Sequence, residues 1–90
     1  MKAYRVQIEG RVQGICFRHY TQQEANRLDI SGWVRNCEDG SVEALICGND
    51  NQLNAMLTWL RHGPSSARVS ATRVEPAEAS SLSTGFRITY

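Results

Sequence analysis

The chain carries no surplus of charge of one sign and no long apolar run, and its cysteines do not come in pairs. Ten basic residues against nine acidic ones leave a formal net charge of +1, too weak a field to hold nucleic acid mainly by neutralising its phosphates. Any anion site therefore has to be local. Nowhere do about 18 apolar residues run together, the length a membrane helix needs. Met1-Lys2-Ala3-Tyr4 passes straight into alternating residues, without the apolar stretch of a secretory signal. These absences predict a cytoplasmic protein that engages no membrane. Cys16, Cys37 and Cys47 are odd in number and lack zinc-type spacing, which argues for reduced thiols and against a disulfide framework or metal cage. There is also no G-x4-G-K-S/T nucleotide loop, no RNP-like aromatic set, and no internal repeat, linker or low-complexity tract.

What is present suits one globular domain. Ninety residues, 41% of them apolar and 21% charged, can bury roughly 60 to 65% of the surface that the unfolded chain exposes. Tyr4, Val6 and Ile8 alternate with Arg5, Gln7 and Glu9, the pattern of a half-buried strand, which should stop at Gly10. Phe17, Thr21, Ala25 and Leu28 share one helical stripe while Gln22, Gln23, Asn26 and Arg27 face away, predicting a first helix over about 17 to 29. Thr21 with Glu24 also resembles a capping box that would start this helix later. The earlier start puts Phe17 in the core and is preferred.

Residues 32 to 48 predict a hairpin around Glu38-Asp39-Gly40, and the turn decides which face each side chain takes. A two-residue Asp39-Gly40 loop would place Arg35 on the face of Val42, Ala44 and Ile46 and bury its charge. A three-residue loop with Gly40 left-handed pairs Cys37 with Ser41 instead. Val34, Val42, Ala44 and Ile46 then share the core face, Arg35 lies outside opposite Glu43, and Asn36 ends its strand facing inward. Trp33 and Leu45 fall on the open face. Asn49 or Asp50 can cap a second helix with the stripe Leu53, Met56, Leu57 and Leu60, closed by Gly63-Pro64. A strand is expected at about Arg68 to Glu75, a loop over Pro76 to Thr84, and a last short strand where Phe86, Ile88 and Tyr90 alternate. That order is α+β: a ferredoxin-like βαββαβ sandwich, an antiparallel sheet with two helices on one face and a short extra C-terminal strand. In its 4-1-3-2 strand order, the end of strand one, the start of helix one and the end of strand two meet at one sheet edge.

Gly10 to Arg18 reads G-R-V-Q-G-I-C-F-R, a glycine-permitted turn leading into a helix start. Convergent N–H groups and the positive end of a helix dipole make such a turn an anion cradle, and Arg18 adds a planar fork matched to phosphate oxygens. The fold brings this cradle beside Asn36. Cys16 stands only two residues before Arg18, unlike the Cys-x5-Arg loop of cysteine-dependent phosphatases, and is expected to pack under the loop as a small side chain. His19, next to Arg18, should point about 100 degrees away and be exposed. His62 is placed to cap a helix C-terminus, and Trp33 and Tyr4 are read as sheet packing.

G-R-V-Q-G-x-x-F-R at Gly10 to Arg18, E-A at Glu24-Ala25, and G-W-V-R-N at Gly32 to Asn36 followed by D-G-x-V-E at Asp39 to Glu43 resemble the acylphosphatase family. The resemblance spans essentially the whole chain, implying one such domain over residues 1–90. It implies hydrolysis of the carboxyl–phosphate bond of acyl phosphates, with Arg18 matching the family's phosphate-binding arginine and Asn36 its water-positioning asparagine. Gln13, Gly14, Ile15, Cys16, Phe17 and Arg18 would bind substrate. Also implied are a small-molecule acyl phosphate as substrate and no organic cofactor or metal; the low net charge and the missing RNP-like aromatics argue against nucleic acid, and a monomer is expected. Asp29 departs from the family's Leu-Gly pattern and would be costly if residue 29 is left-handed. Two other readings remain: a ferredoxin-like module binding a phosphorylated partner or single-stranded RNA through the sheet, and a module handling carbamoyl phosphate, as in the larger hydrogenase-maturation carbamoyltransferases. A start at Met1 with no attached domain is taken to favour the free enzyme.

Overall fold

The computed structural model describes residues 1–14, 16–78 and 85–90. Its elements are β1 (Lys2–Arg11), α1 (Phe17–Arg27), β2 (Ser31–Asn36), β3 (Val42–Gly48), α2 (Asp50–His62), β4 (Arg68–Ala77) and β5 (Phe86–Ile88), in one sheet ordered β4-β1-β3-β2-β5. The β4-β1-β3-β2 core is antiparallel, as expected, and β5 joins β2 in parallel, so the five-stranded sheet is mixed.

Alternation in β1 puts Val6 opposite Ala44 and Ile8 opposite Val42, all fully buried under the helices. Onto this face α1 delivers Phe17 and Ala25, and α2 delivers Leu53, Met56, Leu57 and Leu60. Each fully buried aliphatic or aromatic side chain contributes about 1.5–3 kcal/mol, so packing rather than propensity fixes the helices. Thr21 is buried too, its hydroxyl donating to the Phe17 carbonyl at 2.8 Å. That bond belongs to a helix already formed at Phe17, and the later capping-box start is not used. α1 closes with Asp29 at φ 57, its N–H bonded to Asn26 O and that of Ile30 to Ala25 O, the two bonds of a Schellman cap. Asp29 thus occupies the left-handed position that glycine fills best.

The hairpin takes the three-residue register. Gly40 has φ 93, the Cys37 N–H donates to Ser41 O at 2.8 Å, and Arg35 stands opposite Glu43 with Nη2 2.6 Å from Oε1. Asn49 caps α2 in a full capping box with Gln52. On the open face Leu45 and Cys47 join Ala3 in a small second cluster against Trp33 and Ala77.

Three expectations are corrected. β1 runs past Gly10 to Arg11, with a bulge against β4 between Glu9 and Gly10; a Cβ at Gly10 would lie 2.1 Å from the Arg68 carbonyl oxygen, so glycine keeps the strand going there instead of ending it. β4 extends through Pro76 to Ala77, shortening the expected loop. As an edge strand it tolerates a residue without an N–H on its outer side. Gln22 does not face away, because its Nε2 donates to Phe86 O at 3.0 Å and ties α1 to β5. Residues 79–84 of the expected loop, and Ile15 of the cradle, lie outside the described residues.

Candidate active site

The segment between β1 and α1 is held at both ends by buried side chains, Val12 and Phe17. Between them Gly14 has φ 76 and Cys16 φ 62, left-handed turns that swing the chain sharply into the helix. Cys16 is the N-cap of α1 but gives no side-chain cap bond, and the first turn contains no acidic residue. The N-terminal donors of the helix and its positive dipole end are thus left to an acceptor from outside the helix. The cysteine itself is exposed, not packed under the loop: of two adjacent side chains only one takes the buried place, and Phe17 has it.

Gln13 orients the loop through its side chain. Its Nε2 donates to the carbonyls of Cys37 and Ser41, each at 2.8 Å, which straps the loop to the turn that follows Asn36. The turn is braced in its own right. Asp39 Oδ1 accepts from the Ser41 N–H at 2.9 Å and from its hydroxyl at 2.6 Å, and Gln7 Nε2 donates to that hydroxyl at 3.1 Å. These bonds from Ser41 hold the Asp39 carboxyl below its ordinary pKa of 3.8.

Arg18, in the first turn of α1, is half-buried, its Nη1 donating to Thr89 O at 3.1 Å and its Cζ 4.7 Å from the centre of the Tyr90 ring. Asn36 is the last residue of β2, on the face of Val34 and opposite Val42. Arg18 and Asn36 line one cavity of about 440 Å³, together with Gly14, Cys16, Ile88 and Tyr90 among others. The fold therefore brings together the two side chains singled out in the sequence, with most of the loop. His19 is exposed as expected, its ring nitrogen 3.2 Å from Gln23 Nε2, yet it also reaches the cavity rim. His62 bonds Thr58 O within its own helix end. Cys47 lies on the open face, away from the cavity, its thiol pushed up by burial and only partly offset by a bond with Ser31.

Thr89 and Tyr90 are the site residues that sequence reasoning missed. The alternation of Phe86, Ile88 and Tyr90 puts Tyr90 on the helix face, but nothing local says which strand β5 joins. Pairing of Ile88 with Val34 in parallel register supplies that information, and two residues further on Tyr90 comes level with Asn36.

The sequence and the overall fold match known proteins. The family model described as Acylphosphatase matches residues 4–88. An acylphosphatase of Rhizobium etli is 51% identical over 88 residues, covering 98% of this chain and 94% of the relative. The crystal structure of acylphosphatase from Bacillus subtilis superposes with a TM-score of 0.94 at 34% identity, covering both chains completely. An acylphosphatase structure from Coxiella burnetii gives 0.92 at 33% identity, covering 98% of this chain and 92% of that one. Among the described residues, no helix is long and apolar enough to cross a membrane.

Proposed function

The chain belongs to the acylphosphatase family and is an enzyme acting on acyl phosphates, and we propose that it hydrolyses their carboxyl–phosphate bond by direct attack of water. In this reading Arg18 and backbone N–H groups of the Gln13–Arg18 loop hold the phosphoryl oxygens, while the Asn36 carboxamide orients the water in line with the leaving oxygen. The observation that carries it is the shared cavity: Arg18 and Asn36 line one space from two different elements, beside a helix start whose donors no side-chain cap takes up.

The chemistry fits the groups available. An acyl phosphate expels a stabilised carboxylate, so the leaving oxygen needs little protonation and the site needs no strong base. An amide aligns water without deprotonating it, and a loose, metaphosphate-like transition state asks mainly for position and positive charge. The enzyme is read as one domain over residues 1–90, a cytoplasmic monomer that binds no nucleic acid. Along its exposed β4 edge stand Arg68, Arg73, Glu75 and Pro76, residues that discourage strand addition by another chain.

Turnover of an acyl phosphate and of a simple phosphate monoester should be measured side by side in chelator-treated buffer. Hydrolysis of the first alone is expected, with Arg18→Ala and Asn36→Ala each slowing it about 100- to 1000-fold. Two folded variants with near-parental turnover would refute the residue assignment.

A further inference from the structure

Of the motif G-W-V-R-N at Gly32 to Asn36, the candidate active site takes only Asn36. Trp33 and Arg35 alternate to the other side of β2, onto the sheet face that carries neither helix. There the strand registers set Trp33 and Arg5 on either side of Leu45, and Arg35 directly opposite Glu43. Arg5, Trp33, Arg35, Glu43 and Thr89 line another cavity, of about 350 Å³, within the size range of small-molecule sites.

Two arginines share one carboxylate in this cavity. Glu43 Oε1 accepts from Arg35 Nε at 2.8 Å and lies 2.6 Å from Nη2, while Arg5 Nε stands 3.7 Å from Oε2, beyond hydrogen-bond length. Among the described residues no hydrogen bond takes up the Arg5 guanidinium, so its donors face the cavity uncommitted. Arg87, opposite Trp33 on β5, adds to the positive field on this side. Beside the charge stands an apolar plate: the Trp33 ring is half-buried against the cluster of Ala3, Leu45 and Cys47, with Arg35 Cζ 5.8 Å from its centre.

An indole face accepts an aromatic ring, and a guanidinium accepts a carboxylate in its planar fork. The lining carries two positive charges and one negative, which suits a monoanion; a dianionic phosphate would meet the Glu43 carboxylate at the same short range. We propose that this cavity is a non-catalytic binding site for aromatic carboxylates, the ring lying on Trp33 and the carboxylate on Arg5 with Arg35 beside it. The site is independent of the roles read for Arg18 and Asn36.

The probe is 2-naphthoate, titrated by two-dimensional NMR with and without excess inorganic phosphate at constant ionic strength. Shifts should centre on the Trp33 indole N–H and the amides of Arg5, Arg35 and Glu43, and should persist in phosphate. A Kd of about 1 mM is expected for a ligand of this size at ordinary efficiency. Acetate, which lacks the ring, and 2-naphthamide, which lacks the charge, should each bind at least about tenfold more weakly. Arg5→Gln should weaken naphthoate binding about tenfold with the melting temperature unmoved, because the Arg5 side chain is 54% exposed and its ion pair is a surface one. No saturable binding, shifts confined to Arg18 and Asn36, or shifts that phosphate abolishes would each overturn the proposal. So would acetate or naphthamide binding as tightly as naphthoate, or parental affinity in Arg5→Gln.

Discussion

Replacing Gln13 by leucine removes two hydrogen bonds and no charge, at the point where the loop between β1 and α1 meets the hairpin. Both bonds come from Nε2, to Cys37 O and Ser41 O at 2.8 Å. Neither carbonyl is left bare, because Ser41 O also accepts from the Cys37 N–H at 2.8 Å and Cys37 O from the Gly40 N–H at 3.2 Å. The cost is therefore two net hydrogen bonds without the full penalty of an unpaired buried acceptor, about 1–3 kcal/mol together. Urea unfolding should show it as a lower midpoint at unchanged slope. Turnover should fall as well, since the same bonds hold the loop in register with the strand end that carries Asn36. With a misplacement of about 1 Å able to cost roughly 100-fold, a drop in kcat/KM of about tenfold is expected for a loop that loosens without detaching. Gln13→Glu is the stricter arm. An ionised carboxylate offers only acceptors to two carbonyls, so at pH 7 this variant should be less stable than Gln13→Leu. Its folded-state pKa is raised, so the deficit should shrink as pH falls through that raised value, where the acid regains a donor, and be gone below the unfolded value of about 4.3. A leucine variant with parental midpoint and parental kcat/KM would refute the reasoning.

Asp29→Gly should stabilise the fold by about 1 kcal/mol, because it relieves an L-residue held at φ 57 in the cap of α1; thermal unfolding checks this, and kcat should not move. The hairpin brace gives a pH dependence whose sign follows from the lowered Asp39 pKa. A carboxyl depressed in the folded state contributes stability above its unfolded pKa and loses it as pH falls through the folded value. The parent should therefore lose more stability than Asp39→Asn between pH 5 and pH 2.5, the difference opening below 3.8, and parallel acid titrations of the two would show if it does not.

The hairpin register was legible in the sequence because two local facts agree: Gly40 accepts the left-handed conformation the turn needs, and only that turn keeps Arg35 outside, where it meets Glu43. α2 was legible for the same reason, with cap, stripe and glycine stop all pointing one way. That Arg18 and Asn36 meet at one sheet edge followed from fold order plus that register, while the roles expected of them came from the family resemblance. Other features depend on tertiary partners that leave no local trace. β5 is only three residues long, and its parallel union with β2 brings Thr89, 71 positions after Arg18, and the neighbouring Tyr90 to that arginine. Gln22 has the residue type and spacing of a solvated helix face, yet β5 gives it a carbonyl to bond. Cys16 looks like a packing residue until Gly14 and Cys16 are found on left-handed backbone, which hands the core position to Phe17.

The proposed attack of water at phosphorus, with Asn36 aiming the water and Arg18 holding the phosphoryl group, has a direct isotopic consequence. Enzymatic hydrolysis of an acyl phosphate in water enriched in oxygen-18, under single-turnover conditions, should put the label into inorganic phosphate and leave the carboxylate unlabelled. Label in the carboxylate would mean attack at the carbonyl carbon and would contradict the roles assigned to both residues.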